Sequence, residues 1–214
     1  MFKQIGTDGS SYKLSDIKVS GVDPTGDAIQ FLDTATANTY LAATYCDPEE
    51  FGEELEGWWD ADDIGGTQLD GEEFAAGTAF LTLFTSGNEI TFNYAGEVEK
   101  GVKQIHIAEG VESPFICNPL PKTLTLAEVT VAGMDPTGDG FQFLDTATAN
   151  TYLVATYCDP EEFGEELAGW WDADDVGGTE INDTPLAPGQ GVLGLLTSGN
   201  EMTVVFPEII TAAK

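Results

Sequence analysis

The sequence predicts an all-β protein: two tandem, duplicated β-sandwich domains of jelly-roll type, each carrying one short helix. Three observations predict it. The chain repeats itself at a fixed offset of 112 residues, its apolar residues alternate over short runs, and Gly, Pro and Asn break those runs at turn positions. Gln30 to Leu41 reads QFLDTATANTYL, as does Gln142 to Leu153; ATYCDPEEFGEEL recurs unchanged from Ala43–Leu55 to Ala155–Leu167. The offset holds without a gap from Val19/Val131 to Thr91/Thr203, where 52 of 73 pairs are identical, so the copies must share one fold. A period of 112 residues is too long for a solenoid unit and fits one compact domain. The stretch Gly110 to Pro121, GVESPFICNPLP, combines glycine with three prolines and reads as the junction, giving domains 1–112 and 113–214.

Each element follows from local chemistry. Leu14–Val19 and Leu126–Val131 are apolar at alternate positions, as in a half-buried strand. Asp23-Pro24-Thr25-Gly26 sets proline second and glycine fourth in a type I turn. Ala28–Leu32, Thr39–Cys46, Thr78–Phe84 and Glu89–Tyr94 are rich in Thr, Tyr, Phe, Ile or Leu and read as strands. Thr85-Ser86-Gly87-Asn88 connects the last two as a hairpin. Asp47-Pro48-Glu49-Glu50 is a capping box: Asp47 is the N-cap, Pro48 the first helical residue, and Glu50 follows three positions on. Phe51 and Leu55 then share a face, and Gly57 is expected to end the helix.

Composition excludes several functions. At 42% apolar residues the chain can build a core, and no apolar run approaches the roughly 20 residues of a membrane-spanning helix. Met1-Phe2-Lys3-Gln4 lacks the apolar run of a secretion signal. Net charge is −31, and all seven basic residues are lysines, so phosphate backbones and anionic membranes repel the chain. Cys46, Cys117 and Cys158 are too few and odd in number for a disulfide framework, and read as buried thiols.

Chemistry is sparse. His106 is the single histidine, and no serine or cysteine stands in a nucleophile motif beside it. It falls on an expected strand, Val102–Ala108, alternating with Ile105 and Ile107. Zinc would need Cys/His clusters that are missing. Paired carboxylates suffice for glycoside hydrolysis, but acidic residues are dense enough here to pair by chance. Metal binding is the sharper expectation. Asp47 to Glu73 holds 12 carboxylates and no lysine, and Asp60, Asp62 and Asp63, matched by Asp172, Asp174 and Asp175, begin like a calcium loop. Ile64 then occupies a ligand position and Gly71, or Asp183, stands where a glutamate belongs. A solvated acidic loop is the alternative; the only cofactor to consider is calcium. Trp58-Trp59 and Trp170-Trp171 are candidate binding residues. Neighbours on a strand face opposite ways, so one of each pair is expected outside the core, free to stack on a sugar or anchor a protein contact.

Charge placement and strand count point toward assembly. The lysines gather near domain ends, and residues 19–99 and 123–213 hold no basic residue. Such asymmetry orients partners. The counterpart of Val102–Ala108 would begin at 214, so the second domain is expected to lack a strand present in the first and to offer an open edge.

A pattern recurs within each copy: the tryptophan region, Leu186-Ala187-Pro188-Gly189-Gln190-Gly191, a strand, and Ser198-Gly199-Asn200. In the first copy Ala95-Gly96-Glu97-Val98 then leads to Asn118-Pro119-Leu120-Pro121. It resembles the β-sandwich repeats of bacterial surface proteins and phage structural proteins. Glu73-Phe74-Ala75-Ala76-Gly77 departs from the proline-glycine form. The resemblance implies a fold and a structural role, and assigns no ligand. The expectation is therefore a non-enzymatic structural subunit, associating with itself or with other structural proteins. It would be a virion component such as a capsid decoration or tail protein, or a subunit of a bacterial surface filament or layer. Missing secretion signal and free thiols favour the virion. The alternative is an extracellular, adhesin-like module binding carbohydrate or protein, with or without calcium.

Overall fold

Asp23-Pro24-Thr25-Gly26 closes as its residues prescribe: the Gly26 N–H donates to Asp23 O at 3.0 Å, and the Asp23 side chain accepts from the Thr25 N–H. From such turns a computed structural model builds the chain, describing residues 12–33, 36, 38–74, 78–93, 103–144 and 151–208. Two compact units emerge, Phe2–Glu97 and Val98–Lys214.

The first unit runs β1 (Tyr12–Lys13), β2 (Lys18–Ser20), β3 (Ala28–Leu32), β4 (Tyr40–Cys46), α1 (Pro48–Phe51), β5 (Gly57–Asp60), β6 (Glu73–Phe74), β7 (Leu81–Leu83) and β8 (Thr91–Asn93). The second runs β9 (Lys103–Ile107), β10 (Phe115–Cys117), β11 (Leu124–Thr125), β12 (Thr130–Ala132), β13 (Gly140–Leu144), β14 (Tyr152–Cys158), α2 (Pro160–Phe163), β15 (Gly169–Asp172), β16 (Pro185–Leu186), β17 (Gly191–Leu195) and β18 (Met202–Phe206). Every described pairing is antiparallel. The architecture is all-β with two one-turn helices.

Elements recur at the sequence offset: β3, β4, α1 and β5 lie 112 residues before β13, β14, α2 and β15. The sheets do not match as closely. The first unit has a four-stranded sheet, β5-β4-β3-β7, and two-stranded β2-β8 and β1-β6. In the second, the corresponding sheet gains β10 on the far side of β17 to become β10-β17-β13-β14-β15, and β18 is flanked by both β12 and β9. Its core holds Phe141, Tyr157, Trp170 and Val192 from the larger sheet with Val131, Met202, Val204 and Phe206 from the smaller, all buried. The first unit buries the equivalent set, Ile29, Phe31, Tyr45, Trp58, Val19 and Leu14.

Four expectations are corrected. Leu14–Val19 and Leu126–Val131 are not single strands. Each starts as a 3-10 turn, Leu14–Asp16 or Leu126–Glu128, before β2 or β12. Leu14 and Ile17 lie three apart, one turn of a 3-10 helix, while Ile17 and Val19 alternate, so both periods bury the same apolar residues. Helix α1 ends at Gly52, whose φ of +87° suits a residue without Cβ; a second 3-10 turn, Glu53–Leu55, precedes Gly57. The supposed junction Gly110–Pro121 lies inside the second unit, where it forms β10 and a turn around buried Asn118. Asn118 Nδ2 donates to Lys122 O and Leu186 O, and its Oδ1 accepts from the Leu120 N–H. Finally, the strand at Val102–Ala108, observed as β9, pairs with β18 and so completes the second unit.

Candidate functional site

The acidic loops are turn structures. Asp60 Oδ1 accepts from the Asp62 N–H at 2.9 Å, while Asp63 Oδ2 accepts from Thr67 Oγ1 at 2.7 Å. Asp172, Asp174, Asp175 and Thr179 repeat both bonds at 3.0 and 2.6 Å. Carboxylates thus cap the amides of tight turns, the use to which Asp is suited at such positions. Among the described residues no group of three or more His, Cys, Asp or Glu side chains is placed to hold a metal ion. The expected calcium cluster of Asp60, Asp62 and Asp63 is not brought together.

The tryptophans are also committed. Trp58 and Trp170 lie in the cores, at 1% and 2% exposure; Trp59 and Trp171, on the opposite faces of β5 and β15, are buried at 8%. The Trp58 and Trp170 Nε1 donate to Ile17 O and Val129 O; those of Trp59 and Trp171 donate to Leu55 O and Leu167 O. The expected outward ring is covered because Leu55 and Leu167 follow α1 and α2 closely enough to cap it. At 8% exposure neither ring is open for sugar stacking. Gly57 makes the arrangement possible: at φ +120° a Cβ there would meet Asp70 Oδ2 at 2.6 Å, the carboxylate that accepts the Trp58 N–H. Asn182 accepts the Trp170 N–H in the same way.

Sequence reasoning missed the most highly bonded carboxylates. Asp27 is 1% exposed, yet its Oδ1 accepts from the Thr85 and Ser86 N–H groups and its Oδ2 from Ser86 Oγ and the Asp23 N–H, at 2.5–3.0 Å. Burial raises its pKa, but these hydrogen bonds to the charged form outweigh burial and bring it down to about 2. Asp139, 2% exposed, binds Thr197, Ser198 and Asp135 identically. The signal was present in two pieces, the Asp-Pro-Thr-Gly-Asp turn and the Thr-Ser-Gly-Asn turn, but 58 residues separate them. With every acceptor occupied locally, these are structural pins. His106 stands exposed on β9 opposite Thr203, its Nε2 3.8 Å from Glu201 Oε1. All three thiols are buried; burial pushes Cys117 up to about 12 and raises Cys46 and Cys158, keeping them protonated.

What remains is an edge. In the second unit the Gly194 and Leu196 N–H groups donate to Pro114 O and Glu112 O at 2.8 Å, and β10 pairs with β17 over Phe115↔Leu193 to Cys117↔Gly191. Leu196 is 3% exposed there. Among the described residues of the first unit, β7 is paired with β3 alone, and the equivalent Thr82 and Phe84 N–H groups meet no acceptor. Leu81, Leu83 and Phe84 stand 43%, 41% and 37% exposed along it. An unpaired strand with apolar side chains is a template for another strand. Compared with protein-family models, with curated proteins and with solved structures, the chain matches none.

Proposed function

We propose that the chain is a non-enzymatic structural subunit, built of two copies of one jelly-roll-like β-sandwich, that assembles through the edge of β7. Its setting is a repetitive assembly, a virion or a surface filament or layer. The observation that carries this reading is a contrast among the described residues: the exposed apolar strand β7 pairs there with β3 alone, whereas its duplicate β17 is also paired with β10. β-Augmentation fits such an edge: the incoming main chain supplies the hydrogen bonds, and alternate side chains supply specificity. The burial of Trp58, Trp59, Trp170 and Trp171 speaks against the adhesin-like alternative, which needs an exposed aromatic platform. Sedimentation velocity of the purified chain tests the reading. Species larger than 22.8 kDa should form, and Leu83→Lys should abolish them while leaving the melting temperature within a few degrees. Association that Leu83→Lys leaves intact would place the contact elsewhere.

A further inference from the structure

Each unit carries a second surface, and the two copies have kept it alike. We infer that this face, formed by α1, the 3-10 turn after it and the turn at 60–65, docks a cationic segment of a partner protein bearing an apolar anchor, with one such site in each unit. Divergence between the copies is uneven. Over residues 30–67 the second copy differs from the first only at Ala42/Val154, Glu56/Ala168 and Ile64/Val176. Over 68–84 only four of 17 pairs are identical, although both stretches have had the same time to change. The variable stretch includes buried positions such as Phe74/Leu186, whereas the constant one includes exposed Phe51/Phe163 and the glutamates beside it. Exposed turns ordinarily drift faster than the elements they connect. The reversal marks a surface held by something besides folding. The few changes fit this. Glu56 pairs with Lys18 in the first unit, and the second replaces both ends of that pair, with Ala168 and Thr130. Ile64/Val176 keeps a β-branched apolar residue where a polar one would serve the turn.

The constant residues combine exposed apolar side chains with unpaired acids. Phe51 and Phe163 are 37% exposed, Ile64 39% and Val176 40%. Half-buried Leu55 joins the two turns: a Cβ on Gly65 would stand 3.5 Å from Leu55 Cδ2, and one on Gly177 3.4 Å from Leu167 Cδ2. The turn bearing Ile64 therefore rests on the segment bearing Phe51. Glu49, Glu50, Glu53, Glu54 and Asp62 are exposed in the same two segments. Among the described residues no lysine pairs with any of them, and unlike Asp60 and Asp63 their side chains cap no turn. Apolar side chains set among such carboxylates complement a segment that places lysine or arginine around an apolar anchor. This chain is a poor source of that segment, having no arginine and no basic residue at 19–99 or 123–213. The face also differs from the assembly edge. In the order β5-β4-β3-β7 it flanks β5, on the opposite side of the sheet from β7.

The test is calorimetric titration of the full chain with a short amidated peptide of mixed lysine and phenylalanine, beside one of lysine alone. The mixed peptide should fill two equivalent sites per chain, and its binding should weaken as salt rises, the opposite of pairing at β7. Phe51→Ser/Phe163→Ser leaves the charge unchanged and should weaken binding about tenfold, while Phe51→Ser alone should leave one site. Should the double variant melt lower, Ile64→Ser/Val176→Ser makes the same comparison. Glu53→Gln/Glu165→Gln should weaken binding several-fold, and Glu89→Gln/Glu201→Gln, which removes as much charge elsewhere, should not. Leu83→Lys should bind as the unaltered chain does. No binding of the mixed peptide, or equal binding of both peptides untouched by the phenylalanine changes, would overturn the inference. Binding lost in Leu83→Lys would move the site to β7 and overturn it too. If Phe51→Ser/Phe163→Ser instead abolishes self-association in sedimentation velocity, the face is a contact between copies and no partner is needed.

Discussion

At the scale of single residues, acidity here is mostly architecture. Asp27 and Asp139 are buried carboxylates that each tie two turns together, and hydrogen bonds to a charged acceptor contribute about 1.5–3 kcal/mol apiece before desolvation. Asp27→Asn puts an amide donor where the Asp23 N–H and Ser86 Oγ already donate, and should cost about 2 kcal/mol in urea unfolding. Asp62→Asn, whose carboxylate caps no turn, should stay within about 0.5 kcal/mol. The pH dependence has a defined sign. Asp27 titrates at about 2 when folded, below its ordinary value of about 3.9, so its stabilisation is complete above roughly pH 4 and is lost as pH falls toward 2. Acid unfolding of Asp27→Asn should accordingly be shallower across that window. Asp70 offers a contrasting case. Because Asn182 accepts the Trp170 N–H as Asp70 accepts that of Trp58, Asp70→Asn should change stability by less than about 1 kcal/mol. A loss of several kcal/mol there would mean that the charge, not the hydrogen bond, holds β5.

At the scale of elements, much was legible where one period dominated. Ala28–Leu32 is β3 to the residue, and Asp47 caps α1 through the Glu49 N–H, with Pro48 first in the helix. Legibility failed where two periods bury the same residues, as at Leu14, Ile17 and Val19, and where a glycine could end either of two turns, as Gly52 and Gly57 could. Tertiary contacts were the harder loss. Nothing in Trp58-Trp59 says that Leu55 O waits for the second ring, and only the fold reveals that Val102–Ala108 serves β18. The edge expected to be open in the second unit is thus paired, and among the described residues the strand with one neighbour and exposed apolar side chains is β7 of the first unit. Trp59→Phe tests this view of the tryptophans. It should lose the bond to Leu55 O and about 1 kcal/mol, with self-association unchanged; a fall in association would return Trp59 to the interface.

At the scale of the whole molecule, a strongly anionic chain with an apolar edge is balanced between repulsion and pairing. Its net charge of −31 opposes self-association at low ionic strength, and raising salt from about 0.1 to 1 M shortens the screening length from about 10 to about 3 Å. Assembly should therefore strengthen with salt, the reverse of what an ion-paired interface would do. No helix among the described residues is long and apolar enough to cross a membrane. The duplication gives an internal control, since β17 is the same edge already filled. Hydrogen exchange at that pair of strands, followed across protein concentration at high salt, is the most direct measurement. The Thr82 and Phe84 amides should become protected as concentration rises, while Gly194 and Leu196, already bonded to Pro114 and Glu112, stay protected throughout. Thr82 and Phe84 exchanging at one rate at every concentration, in a chain that nonetheless associates, would contradict the assignment of β7 as the assembly edge.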